Sequence, residues 1–203
     1  MIIGPDFLWL HFPKCAGTLV EKILRVAFGD DPTLEFDPLD PRHVIWHQDV
    51  DERQAATGRE LGRKHVICCF RRLPHWVLSR INFEKHRSPH LPFSRAMYTQ
   101  GRFYEQNGAE STAEGYVRKY SSRTVSHWIR VEFLREDFVA AFSPYLDVTR
   151  LDLDGAFGRR VNETDYHRDL GAWFSPNELA ALYDSCPTWR DLEVSLYGDL
   201  VTL

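Results

Sequence analysis

Two kinds of apolar run alternate along the chain. "FLWLHF" (7–12) is short and continuously apolar, the pattern of a strand buried on both faces. "TLVEKILRVAF" (18–28) instead sets Leu19, Val20, Ile23, Leu24, Ala27 and Phe28 at a helical period. "DDPTLEFDPLDP" (30–41) reads as a loop and "HVIWH" (43–47) as a short strand. Residues 51–62 are polar and helix-compatible, ending at Gly62. "HVICCF" (65–70) is a second strong strand, and "HWVLSRINFEKH" turns helical after Pro74.

Residues 87–108, rich in Pro, Ser, Gly and aromatics, predict an irregular or partly helical insert. Beyond it the pattern predicts a helix over 113–129, a strand at "RVEFL" (130–134), a helix over "REDFVAAFSPYL" and a strand at "VTRLDL" (148–153). "SPNELAALYDSC" (175–186) opens with Ser175, Pro176 and Glu178, a capping box with Pro in the first turn. "WRDLEVSLYGDL" closes the chain. Strands alternating with helices predict an α/β fold, a three-layer sandwich around a mainly parallel central sheet. The expected organisation is a single domain over 1–203, with 86–128 as a lid or acceptor-site insert.

Composition changes this picture little. The 203 residues carry 43% hydrophobic and 27% charged side chains, ordinary for a globular protein. A net charge of −4 gives no broad basic face, so nucleic acid is not an expected partner. No apolar run approaches the ~20 residues of a membrane span. Residues 1–12 contain Asp6 and no basic leader, so no signal peptide is expected. The cysteines are Cys15, Cys68, Cys69 and Cys186, with no CxxC pair to suggest zinc. Cys68 and Cys69 read as reduced core residues, which points to a cytoplasmic location.

The candidate chemistry lies in the turn "PKCAGT" (13–18). A strand–turn–helix unit aims backbone N–H groups and the positive end of a helix dipole at one spot, an anion site. Gly17 permits close approach of a ligand, Lys14 supplies a full charge and Thr18 a hydroxyl. Taken alone, the same turn is also compatible with an ordinary connection bearing a solvated lysine. The Walker A order is absent, because Lys14 precedes the glycine. A tyrosine-phosphatase loop is absent too, since Glu21 and His75 stand where its arginine would follow Cys15 or Cys69.

A second feature is "VICCFRRLPHWVLSRINF" (66–83). It delivers Arg71 to the carboxyl end of a strand and Ser79 to the next helix, where open α/β sheets bind ligands. An Arg and a Ser there can hold a second phosphate. Together the two stretches resemble the sulfotransferase superfamily, whose donor is 3′-phosphoadenosine 5′-phosphosulfate (PAPS). The family's first motif, hhHhPKoGGToh, reads here "LHFPKCAGTLV", with Ala16 for the first Gly and Cys15 where Thr or Ser is common. Its second, R-x-P-x-x-R-x-x-S, reads "FRRLPHWVLS". The Arg71-to-Ser79 spacing is kept, the proline falls one position late at Pro74, and Trp76 replaces the second Arg. "PRHVIWHQ" (41–48) resembles the segment P-R-h-h-K-T-H, with His47 at the catalytic position and Ile45 in place of Lys. "IRVEFLREDF" (129–138) and "GRRVN" (158–162) match later family segments more loosely.

The resemblance implies sulfuryl transfer from PAPS to a hydroxyl or amine by in-line displacement, releasing PAP and requiring no metal. Lys14 would stabilise the leaving phosphate. The N–H groups of Cys15, Ala16, Gly17, Thr18 and Leu19, with the Thr18 hydroxyl, would cradle the 5′-phosphate. Arg71 and Ser79 would hold the 3′-phosphate. Arg159 and Arg160 would reach it from a late loop that Asn162 orders, or stand there as solvated charges. Arg123 is another possible phosphate contact. His47 is the first choice of base, against a simple structural role bonded to a carbonyl; His43, Asp49 and Glu84 are the alternatives. His11 reads as structural, and Trp9 and Trp128 as core. Phe93, Tyr98, Phe103, Tyr104, Tyr116 and Tyr120 suit a phenol, a hydrophobic alcohol or a sugar ring as acceptor. Two other readings compete: a small-molecule kinase with a degenerate P-loop, taking a Walker-B-type acid from "RLDLD" (150–154), and a non-catalytic nucleotide-binding protein of the same fold. The sequence does not choose the acceptor or the oligomeric state.

Overall fold

The computed structural model describes residues 1–38, 44–158 and 164–203. In chain order its elements are β1 (Ile2–Ile3), β2 (Phe7–Leu10), α1 (Gly17–Phe28), β3 (Glu35–Phe36), α2 (Val50–Thr57), β4 (His65–Phe70), α3 (Leu73–Arg87), α4 (Arg95–Gln100) and β5 (Arg102–Tyr104). They continue with β6 (Glu110–Thr112), α5 (Ala113–Tyr120), β7 (His127–Arg130), α6 (Leu134–Phe142), α7 (Leu153–Phe157), α8 (Pro176–Ser185) and α9 (Pro187–Tyr197). These form two compact units, each drawn from two stretches of chain: the described residues of 1–70 and 120–162, and those of 71–119 and 163–203. The expected insert 86–128 is therefore divided, most of it lying in the second unit.

The first unit is an α/β structure on a mixed sheet ordered β3-β1-β2-β4-β7. β2, β4 and β7 run parallel, with Trp9 opposite Ile67 and Ile67 opposite His127. β1 is antiparallel to both its neighbours, so the expected mainly parallel sheet meets two parallel and two antiparallel pairings. All four residues of β2 are buried, as are the last five of β4. That is what continuous apolar runs require, because neither face can meet water. Cys68 and Cys69 are both fully buried in β4, and all four cysteines are free thiols. Burial pushes the Cys69 thiol up to about 12. Trp9 is a core residue as expected, whereas Trp128 is only half-buried, edge-on to Phe70 at 5.7 Å.

Several expected elements are different in the structure. Val44–His47 is a single 3-10 turn, not a strand. Asp49 follows at once as the N-cap of α2 with a complete capping box, so the chain is already turning into a helix. α2 stops before Gly58, whose left-handed φ of 68° ends it well short of Gly62. The helix expected over 113–129 ends at Tyr120, and residues 127–130 form β7 instead. Ser126 N–H donates to the Val66 carbonyl at 2.7 Å and starts that pairing. The strand expected at 130–134 lies three residues earlier, and 131–133 make a 3-10 turn. "VTRLDL" is a 3-10 turn running into α7, not a strand. Asp147 and Asp152 accept backbone N–H bonds from Thr149 and Gly155 and fold it into caps.

In the second unit α3 packs against α4, β5, α8 and α9, and β5 pairs antiparallel with β6. Its core centres on Trp76, in ring contact with Phe103, Tyr116 and Trp189 at 5.7, 5.7 and 4.8 Å. The Ser175–Glu178 capping box forms in both directions, as its sequence predicts. Among the described residues no helix is long and apolar enough to cross a membrane.

Candidate anion-binding site

β2 ends at Leu10, and the chain then descends through buried His11, Phe12 and Pro13 into the turn. Lys14 and Ala16 both take left-handed backbone angles, φ 64° and 60°. Neither is glycine, and a non-glycine residue held there costs on the order of 1–2 kcal/mol. Alternating hands of backbone turn successive N–H groups toward one concave spot. Cys15, between them, is fully buried, and its N–H donates to the Phe12 carbonyl at 3.3 Å. Its side chain is wholly buried, so residue 15 offers the turn no hydroxyl.

Ala16 is the N-cap of α1 and provides no side-chain cap, and the first turn of α1 holds no acid. The N–H groups of Leu19 and Val20 bond to the Ala16 carbonyl at 2.9 and 3.2 Å. Those of Ala16 and Gly17 have no hydrogen-bond partner among the described residues. Of the expected cradle, Cys15 and Leu19 thus spend their N–H groups internally, while Ala16 and Gly17 keep theirs available. Lys14, Ala16, Thr18 and Leu19 are half-buried. The result is an electropositive helix start with a lysine beside it.

The group that approaches Gly17 in the structure is the ring of His11. His11 is buried between Trp9, Trp46 and His47, with ring centroids 5.4, 6.2 and 5.0 Å away. Burial holds its imidazole well below the ordinary histidine range, and His47 and the amino terminus push the same way. Its Nδ1 lies 3.9 Å from Glu21, whose carboxylate is taken by Arg25 at 2.8 Å. His11 is thus a buried ring packed among its aromatic neighbours.

The same residue ties His47 to the turn. His47 Nδ1 is 3.2 Å from the His11 carbonyl. A carbonyl can only accept, so this contact makes Nδ1 the proton-bearing nitrogen, and in the neutral ring Nε2 is then the acceptor nitrogen. His47 is exposed. Tyr120 stacks on Phe12 at 4.5 Å, and its hydroxyl reaches the carbonyls of His47 and His11 at 2.8 and 3.2 Å. In the sequence Tyr120 stands only as one aromatic of the expected insert, and nothing in its spacing marks it as a residue that holds the His47 turn.

The remaining candidates divide clearly. Asp49 spends its carboxylate on the Glu52 N–H at 2.8 Å. Glu84 is buried with Arg80 at 3.0 Å, so it is placed as an ion-pair partner rather than a base. Arg123 pairs with Asp51 at 2.5 Å. Ile45 brings no charge of its own; its carbonyl accepts from Arg53, which Asp37 neutralises through two bonds of 2.8 and 2.7 Å. His43, Arg159, Arg160 and Asn162 lie outside the described residues.

In the second unit, Arg71 directly follows β4 and its carbonyl accepts from Trp189 Nε1 at 3.1 Å. Ser79 lies two turns into α3, mostly buried, and its hydroxyl makes no hydrogen bond among the described residues. Pro74 sits in the first turn of α3, where its missing N–H has no cost, and Trp76 is core. Part of the expected insert also lines a cavity of about 170 Å³ with Lys85, Phe93, Ser94, Arg95, Tyr98 and Trp173. No group of three or more His, Cys, Asp or Glu among the described residues is arranged to hold a metal ion. No family model matches this chain, and neither does any curated protein or solved structure.

Proposed function

We propose that the protein is a sulfotransferase that moves a sulfuryl group from PAPS to a hydroxyl or amine of a small acceptor, a phenol or a sugar. The observation that carries this reading is the turn before α1. Two non-glycine residues, Lys14 and Ala16, are held left-handed, and the N–H groups of Ala16 and Gly17 are left available beside a lysine. Strained backbone with available donors is the arrangement that binds an anion, and the lysine-first order separates it from Walker A NTPases. The fold this reading implies is the three-layer, P-loop-like sandwich.

In-line sulfuryl transfer is governed by positioning and charge stabilisation, as phosphoryl transfer is. The acceptor oxygen or nitrogen bonds to sulfur, the bond from sulfur to the 5′-phosphate oxygen breaks, and PAP leaves with the electron pair. Lys14 and the turn N–H groups bear the charge that grows on that phosphate. His47 Nε2 takes the acceptor proton. Arg71 and Ser79 hold the 3′-phosphate, the feature that distinguishes this donor from ATP, with Arg159 and Arg160 as further contacts. The kinase alternative is disfavoured by one observation: "RLDLD" runs from a 3-10 turn into α7 and so does not end a strand.

The test is calorimetric titration with adenosine 3′,5′-bisphosphate, without magnesium, on wild type and on Arg71→Ala. Tight binding that collapses in the variant is the expected result. A folded wild type that ignores this ligand, and binds ATP with magnesium instead, would overturn the proposal.

A further inference from the structure

We infer that α9 sets the position of Arg71 for recognition of the 3′-phosphate, with Trp189 and Glu193 as positioning residues. The inference rests on the donor reading above. Residues 71–73 are each fastened to α9 or to the residues just after it. The indole N–H of Trp189, fully buried, donates to the Arg71 carbonyl at 3.1 Å. One helical turn later, Glu193 is also fully buried and accepts the Leu73 N–H at 2.7 Å. Arg72 faces Glu193 at 3.4 Å, pairs with Asp199 at 2.6 Å and lies over the Tyr197 ring at 4.2 Å. Tyr183 donates its hydroxyl to Glu193 at 2.9 Å and so fixes the carboxylate itself.

This contact does the work of a missing cap. Arg72 is the N-cap of α3 and has no side-chain oxygen to offer, so the first N–H of α3 takes its acceptor from α9. A buried carboxylate against the positive end of α3 also occupies the place an external anion would take. α1 is the opposite case, with no side-chain cap and no acid in its first turn. The two helix starts are thus chemically unequal. The phosphate held at α1 meets backbone N–H groups. The second phosphate depends on the Arg71 guanidinium and Ser79 hydroxyl, and so on where α9 holds the backbone of residue 71. Charge recognition of this kind tolerates displacements of only about half an ångström.

The experiment compares adenosine 3′,5′-bisphosphate with adenosine 5′-monophosphate on the full chain, since their affinity ratio isolates the 3′-phosphate. The variants are Trp189→Phe, which keeps a ring and removes the N–H donor, Glu193→Gln and Arg71→Ala, with unfolding curves for each. We expect Trp189→Phe and Glu193→Gln to lower the bisphosphate affinity about tenfold while the monophosphate affinity stays constant. A merely structural role would weaken both ligands together, and that outcome overturns the inference. Should Trp189→Phe fail to fold, Asp199→Asn loosens the same segment from an exposed position, with the same expected fall in ratio. A ratio unchanged in these variants but lost in Arg71→Ala overturns the role of α9 and leaves the donor reading standing. A ratio that Arg71→Ala does not change takes both down.

Discussion

The ring of His11 occupies the space that any side chain at Gly17 would need. A Cβ built on Gly17 would lie 2.0 Å from His11 Cδ2 and 2.9 Å from its Cγ. The ring has no room to retreat, because Trp9, Trp46 and His47 surround it. Gly17→Ala is therefore expected to destabilise the protein by about 1–3 kcal/mol, the usual range for overpacking. It is also expected to weaken adenosine 3′,5′-bisphosphate binding, since the displaced atoms belong to the turn. Urea unfolding and calorimetry measure the two effects. The double variant His11→Ala/Gly17→Ala should be less destabilised than the sum of its parts, as a shared steric contact requires.

Acid should expose the same residue. Burial, with His47 and the amino terminus adding to it, holds folded His11 well below the ordinary range, whereas the unfolded chain titrates near 6.5. Below about pH 6.5 the unfolded state binds a proton that the folded state refuses. This contribution is therefore fully present above that pH and is lost as the pH falls toward the folded value. The slope is at most about 1.4 kcal/mol per pH unit. Urea midpoints between pH 5 and 7 measure it, and His11→Gln should flatten that part of the curve.

Arg80 is nearly buried and serves two acids, Glu84 at 3.0 Å and Glu105, whose other oxygen accepts the Tyr116 hydroxyl at 2.6 Å. The rings of Phe103 and Tyr116 flank its guanidinium at 4.8 and 5.2 Å. Removing one partner of a buried ion pair strands the other, which costs about 3–5 kcal/mol. Arg80→Ala should show that loss in urea unfolding. Glu84→Gln should be destabilised while retaining wild-type affinity for adenosine 3′,5′-bisphosphate, because Glu84 belongs to this cluster. A variant equally stable but inactive would return Glu84 to the list of bases.

What the sequence made legible follows from how local each cause is. β2, β4 and α1 carry enough apolar residues in one pattern to declare their period, and Ser175 and Glu178 declare a cap within four residues. β1 holds only Ile2 and Ile3, too short for any period, and its antiparallel pairing with Trp9 and Leu8 has no local signal. Residues 44–47 have strand composition, yet Asp49 begins α2 immediately after them and leaves the chain no length to extend. Of the candidate site, the residue types in "PKCAGT" were visible. The left-handed angles of Lys14 and Ala16 were not, since neither residue prefers them. Contacts such as Glu193 with Leu73 join residues 120 apart and depend on the finished fold.

His47 offers the most direct check on the proposed chemistry. Its Nδ1 contact with the His11 carbonyl requires a proton on Nδ1, so in the neutral ring Nε2 is the basic nitrogen. Nitrogen-15 spectra of the imidazole should show this tautomer in the free protein, with no acceptor needed. A dominant Nε2–H form would remove His47 from the role of base. With an acceptor in hand, His47→Ala should lower kcat by about a hundredfold to ten-thousandfold, the contribution of a positioned base, while bisphosphate affinity stays near wild type. Tyr120→Phe removes the hydroxyl that reaches the His47 and His11 carbonyls. It should therefore lower kcat by less than His47→Ala does and leave the tautomer unchanged. Equal loss of kcat and of donor binding in His47→Ala would instead mark this histidine as a support for the turn.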